Sequence, residues 1–263
     1  MPIGVFIGAS SAILTAIVTE IYCHRCLAHR AFRVHPVFAS VLDTYFRVIV
    51  WTDPETWAAV HRVHHRYADT PLDPHSPLQR RPLSVLVGSP FLFAVARRDV
   101  PAGRAAGVGI WTLRGLVIAF YFVTFGLYAE LTMMAVHLVC YLGIMGAVNT
   151  VGHTHGRKPH SGIPGFDIGW LAIPLLGHGY HNSHHAHPVA ARTGPLDSVW
   201  PLLRLAAALR LIAFDGRQTT TPLKADCCGA SAALVRMHSA GGGDGHDHRS
   251  EGCRSRSAFS TRR

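Results

Sequence analysis

The residues of this chain best suited to chemistry are histidines, and their spacing is regular. His61-Arg62-Val63-His64-His65 sets three imidazoles on one helical face, because at about 100° per residue His64 and His65 fall either side of His61. The same pattern returns at His181-Asn182-Ser183-His184-His185. A third pair, His24 and His29, is five residues apart, about 140° on an ideal helix. That pair converges only if the helix ends or bends between its members, so His24 is read as the last turn of a helix and His29 as just beyond it. Imidazole is the commonest protein ligand for borderline transition metals. Eight histidines in three boxes exceed what one closed site of about four ligands needs, so two ions sharing the set fit better. Histidines with no cysteine and few nearby carboxylates suit iron, zinc or copper, and spacing does not choose among them.

The elements that must position these boxes are apolar helices. Hydrophobic residues make up 49% of the 263 and charged residues 15%, against a usual charged share of about 25%, and mean hydropathy is +0.21. This composition points to a membrane protein. The formal charge of +10 comes almost wholly from Arg flanking apolar runs, which suits an anionic membrane surface and not a nucleic acid partner. Six cysteines form no disulfide framework, and Cys23 and Cys26 read as helix-end packing.

Spanning helices are expected at 3–22, 110–127 and 131–148. No Lys or Arg precedes Arg25, so a membrane helix is preferred to a signal peptide for the first. Arg25, Arg30 and Arg33 place its far end in the cytosol, and the Lys- and Arg-free link Gly126 to Glu130 suits the outer side. All three boxes and His153 then share one side of the membrane. Val37 to Trp51 reads as an amphipathic helix, Glu55 to Arg66 as the helix of the second box, and Arg80 to Arg104 as a cytosolic connector. His137, about 24 Å from His153 along its helix, is expected to hydrogen-bond a neighbouring helix. His35, His75, His155 and His160 are expected to be structural or exposed. The domain expected is 1–215, with a cytosolic helical cap at 23–109 and 149–215, followed by a disordered tail at 216–263.

In this order and spacing the boxes resemble the membrane-bound fatty acid desaturases, in particular the acyl-CoA (Δ9-type) branch and its bacterial acyl-lipid relatives. The residues that carry the resemblance are His24-Arg25-Cys26-Leu27-Ala28-His29-Arg30, Trp57 with His61-Arg62-Val63-His64-His65 and Asp73-Pro74-His75, Asn149-Thr150-Val151-Gly152-His153, and Gly179-Tyr180-His181-Asn182-Ser183-His184-His185. The similarity runs from about Thr19 to Arg192.

The resemblance implies an all-α integral membrane protein, a transmembrane helical bundle whose cytosolic cap carries a di-iron site. The ligands it implies are His24, His29, His61, His64, His65, His153, His181, His184 and His185, with Asn149 bound through water and Trp57 beside the acyl chain. It implies O2-dependent formation of a cis double bond, Δ9 by type, in an acyl-CoA or acyl-lipid. The electrons would come from a separate donor of ferredoxin, cytochrome b5 or flavin-reductase type, at the cell inner membrane if the source is bacterial. The alternatives are a di-iron hydroxylase or ketolase acting on lipid, and a metal-binding relative without catalysis. Two departures stand out. Relatives place two membrane helices before the first box and this chain shows one, so either the true start lies upstream or a helix is missing. His178 stands where many relatives carry Glu. A carboxylate there could orient a ligand imidazole from behind, whereas a histidine could do so only as an acceptor or through water.

Overall fold

The computed structural model describes residues 2–214; the expected tail at 216–263 lies outside the described residues. The described chain is helical, with one small two-stranded sheet. Three helical stretches, Pro2–Ala28, Val108–Phe125 and Leu127–Thr154, are long and apolar enough to cross a bilayer.

The first of these begins as an α-helix, α1 (Pro2–Val18), and continues without a break as a π-helical segment, Thr19–Ala28. The helix ends at Ala28 with His29 as its C-cap, so the expected end between His24 and His29 is present, and it comes with a change of winding. A π-helix bonds i to i+5, and the His29 amide donates to the His24 carbonyl at 3.1 Å. That turn brings residues five apart onto one side and makes the pair converge.

Along α1, Gly4, Gly8, Ala12 and Ala16 recur every four residues and are buried. A methyl group on Gly4 or Gly8 would lie 2.6 Å from the carbonyl oxygens of Ala129 or Met133. Small residues at this spacing let two helix backbones approach closely in a membrane, where van der Waals packing has to drive association. The partner is α6 (Leu127–Thr154), which is 28 residues long and so carries the third spanning stretch on to His153 without interruption. The helix before it, α5 (Val108–Phe125), reverses into α6 through Gly126 alone, at φ +79. The expected link of Gly126 to Glu130 is thus a single residue, because glycine reaches that backbone region without steric cost.

Between the spanning stretches lie α2 (Pro36–Ile49), α3 (Pro54–Tyr67) and α4 (Pro82–Ala96). Each starts with Pro in its first turn, where a missing N–H costs nothing. Asp53 caps α3 by accepting from the Thr56 amide at 2.9 Å. Helix α4 corrects the reading of Arg80 to Arg104 as a plain connector: fifteen of those residues form an apolar helix. Its Pro90 cannot donate to the Leu86 carbonyl four residues back, and that carbonyl is the atom that abuts Gly146 of α6. Beyond α6, a short 3-10 turn (Gly169–Ala172), α7 (His181–Ala186) and α8 (Trp200–Ala208) fold back over the end of the bundle. Strands β1 (Arg33–Val34) and β2 (Ile212–Ala213) pair antiparallel and tie the chain after the first box to the end of the described region.

Candidate metal centre

The nine histidines named from the sequence meet at one end of the bundle as two groups. His24, His29, His61, His65 and His184 form one; His64, His153, His181 and His185 form the other. Within each group the ring nitrogens all lie within 4.8 Å of one another. The π segment presents His24 and its C-cap is His29, α3 presents His61, His64 and His65, the end of α6 presents His153, and α7 presents the last three. His65 and His185, one from each group, stack with centroids 4.2 Å apart, so the groups adjoin.

The contacts inside the groups are nitrogen to nitrogen. His24 Nε2 lies 3.0 Å from His184 Nε2, which lies 3.1 Å from His65 Nε2; His29 and His61 face each other at 3.0 Å. In the second group His181 Nε2 lies 2.8 Å from His153 Nε2 and 3.2 Å from His185 Nε2. Three carboxylates approach from behind. The ring Nδ1 of His24 donates to Glu20 at 2.7 Å, that of His64 to both oxygens of Asp73 at 3.0 Å, and that of His153 to Asp69 at 3.1 Å. An ionised carboxylate only accepts. Each of these three rings therefore turns a lone pair, not an N–H, toward its group. The buried Nε2 of His64 has no hydrogen-bond partner.

This donor set fits metal. Two nitrogens each about 2.0–2.1 Å from one ion, at right angles, lie about 3 Å apart, which is the spacing seen. Burial, with neighbouring imidazoles adding to it, holds His29, His61, His65, His181, His184 and His185 well below the usual histidine range. Neutral rings are the form that binds a cation.

Other side chains fall as follows. Asn149 lies one turn before His153 on α6, on the wall of a cavity, and Trp57 lines the same cavity while stacking on His61 at 5.2 Å. His137 meets Ser11 of α1 at 3.0 Å, the helix-to-helix bond expected of it. His35 caps α2, and His160 packs edge-on against His187. His75 stacks on His64 at 4.5 Å, and burial pushes it down to about 3. Cys23 is fully buried at the helix end.

Sequence reasoning missed the supporting carboxylates. The i, i+4 relation of Glu20 to His24 was a usable signal. Asp69 carried no comparable signal, because it reaches His153 across 84 residues. His178 does not act as an acceptor toward a ligand ring. Its Nε2 donates to Glu20 at 2.5 Å, so the π segment, four residues before His24, supplies the carboxylate sought at position 178.

The cavity has a volume of about 350 Å³. On one side it is walled by His137, Leu138, Tyr141, Leu142, Met145, Val148 and Asn149, a single stripe of α6. From His137 to Asn149 that stripe is about 18 Å long at 1.5 Å per residue. Ser89, Pro90, Phe93 and Ala94 of α4 and its C-cap Arg97 face it, and Glu20, His61, His75 and His178 lie at the end near the histidines.

Long apolar helices and two imidazole groups beside an elongated, mainly apolar cavity define a helical membrane protein equipped to bind metal. The chain belongs to the fatty acid desaturase family, whose model matches residues 2–215. It is 29% identical over 216 residues to the Delta-9 desaturase-like 5 protein of Arabidopsis thaliana, covering 75% of this chain and 72% of that one. It is 29% identical to the acyl-CoA C20 Delta5-desaturase of Anemone leveillei, covering 73% and 67%. It is 28% identical to the palmitoyl-monogalactosyldiacylglycerol delta-7 desaturase of Arabidopsis thaliana, covering 72% and 55%. Family membership makes the chain an oxidoreductase, a fatty acid desaturase in general terms.

Proposed function

We propose that this chain introduces a cis double bond, of Δ9 type, into the acyl chain of an acyl-CoA or acyl-lipid, using two iron ions held by the nine histidines. Asn149 acts on the same site through water. The observation that carries the reading is the position of the cavity: its mainly apolar length runs along α6 and one end opens onto His61, His178 and Asn149. A pocket of this kind buries most of an apolar ligand.

Bound iron would supply the oxidising power, with dioxygen and two electrons from a separate donor, to take one hydrogen from each of two adjacent methylenes. In balance, the –CH2–CH2– pair, O2, two electrons and two protons give –CH=CH– and two waters. The chain's own residues do the positioning. Glu20, Asp73 and Asp69 fix three ring tautomers. Trp57 and the α6 stripe hold the acyl chain and keep water from it, so the methylenes that stop at the histidine end are the ones that react. The donor is of ferredoxin, cytochrome b5 or flavin-reductase type. The Arg residues at the histidine end, Arg30 and Arg33 among them, support a cytosolic placement of the site by the positive-inside bias.

The test is the fatty acid profile of a host lacking its own desaturase and expressing the full chain. New cis-9 monounsaturated chains are the expected result. Oxygenated lipid would make the protein a hydroxylase or ketolase, and an unchanged profile with metal bound would make it a non-catalytic relative. Another double-bond position would keep the desaturase and overturn Δ9.

A further inference from the structure

We propose that Glu20 is the positioning residue of the first histidine group, holding His24 with its Nε2 lone pair turned inward, and that His178 locks Glu20 in place from the third box. The inference rests on the metal-centre reading and adds to it a residue outside the nine-histidine set.

Glu20 is 1% exposed, so its charge needs partners, and it has three. Its Oε2 accepts from His24 Nδ1 at 2.7 Å and from His178 Nε2 at 2.5 Å. Its Oε1 accepts from Arg25 Nε at 2.6 Å. All three neighbours are donors, which only an acceptor on both oxygens satisfies. Arg25 is itself fixed by Asp197 at 2.8 and 3.1 Å and by the Ala191 carbonyl at 2.7 Å. The carboxylate therefore cannot swing away, and the bond it takes from His24 Nδ1 leaves His24 Nε2 free of hydrogen, 3.0 Å from His184 Nε2. A carboxylate behind a ligand imidazole sets both its tautomer and its orientation.

The residue types at 20 and 178 form a unit. With an acid on the π segment, the side chain facing it from beside the third box must be a donor, and His178 is one. Its ring lies 4.8 Å from that of His24, so a carboxylate placed on residue 178 would reach the same spot from the opposite side.

The experiment uses the full chain in detergent or nanodiscs, with Fe(II) alone and Co(II) alone as probes, and reads ions per chain, affinity against a chelator, and the Co(II) absorption spectrum. Glu20→Gln places an amide N–H2 among three donors. It is expected to weaken one of two bound ions by about 10- to 100-fold and to change the Co(II) spectrum. Asp197→Asn disturbs the same buried network without touching His24. It is expected to lower the melting temperature and to weaken metal binding much less than Glu20→Gln does. Glu20→Gln combined with His178→Glu is expected to restore the second ion.

Wild-type affinity for two ions in Glu20→Gln overturns the proposal. So does an equal loss in Asp197→Asn, which would make Glu20 a structural partner only. Failure of the combined variant to regain the ion, with its helix content intact, counts against a carboxylate at this spot as the orienting group. Absence of metal from the wild-type protein would instead overturn the metal-centre reading itself.

Discussion

Acidification of the metal-free protein is the sharpest physical consequence of nine crowded imidazoles. Seven rings outside the spanning helices, His29, His61, His65, His75, His181, His184 and His185, are held below the usual histidine range, chiefly by burial. Their folded pKa values lie below the unfolded value of about 6.5. As pH falls through 6.5 the unfolded chain takes up protons that the folded chain refuses, so stability is full above that value and lost below it. Between pH 7.5 and 5.5 each ring that stays neutral costs on the order of 1 kcal/mol. All seven together reach several kcal/mol, a large share of a whole domain's stability. Even three of them should lower the melting temperature by on the order of 10 °C for a chain of this size. Burial raises the Asp73 carboxyl, but the hydrogen bonds it accepts from His64 and the His75 amide outweigh burial and depress it; its loss begins only below about pH 4 and does not enter this window. The assay is the melting temperature of chelator-stripped protein at pH 7.5 and 5.5. A large drop is expected, smaller once metal is restored. An unchanged midpoint would refute the claim that these rings are buried neutral.

Further outcomes are expected from single substitutions. Asp73→Asn removes the acceptor that both orients His64 and takes the Asp69 and His75 amides at 2.9 and 3.0 Å; chelator competition should show one ion weakened by about 10- to 100-fold, and equal affinity for both ions would contradict its role. Leu142→Trp puts bulk in the middle of the α6 stripe; product from longer acyl chains should fall, by gas chromatography, while ions per chain stay at the wild-type value. Gly146→Ala pushes a methyl group into the Leu86 carbonyl, and should cost about 1–3 kcal/mol of stability by thermal melting as α4 is forced off α6.

The site was more legible than the scaffold. Eight of the nine histidines lie in boxes that are local patterns readable from spacing, and His153 was named as a ligand only by the resemblance. The π winding from Thr19 to Ala28 left no periodic signal, and only the awkward five-residue spacing of His24 and His29 hinted at it. Helix α4 was hidden by the Arg residues that flank it, which read as connector. The strands pairing Arg33 with Ala213 are two residues long, too short for any alternation to show. The buried acids were visible as residues but not as partners, since Asp69 and Asp197 reach His153 and Arg25 only through the fold. His178 shows the same limit: its type was unexpected at that position until Glu20 was found opposite it.

The central claim is that two iron ions are shared among His24, His29, His61, His65 and His184 on one side and His64, His153, His181 and His185 on the other. Elemental analysis of the full chain purified from iron-supplied cells tests it most directly, with His184→Ala and His153→Ala measured beside it. The account predicts about two irons per wild-type chain and about one in each variant. One iron in the wild type, or two in both variants, would contradict it.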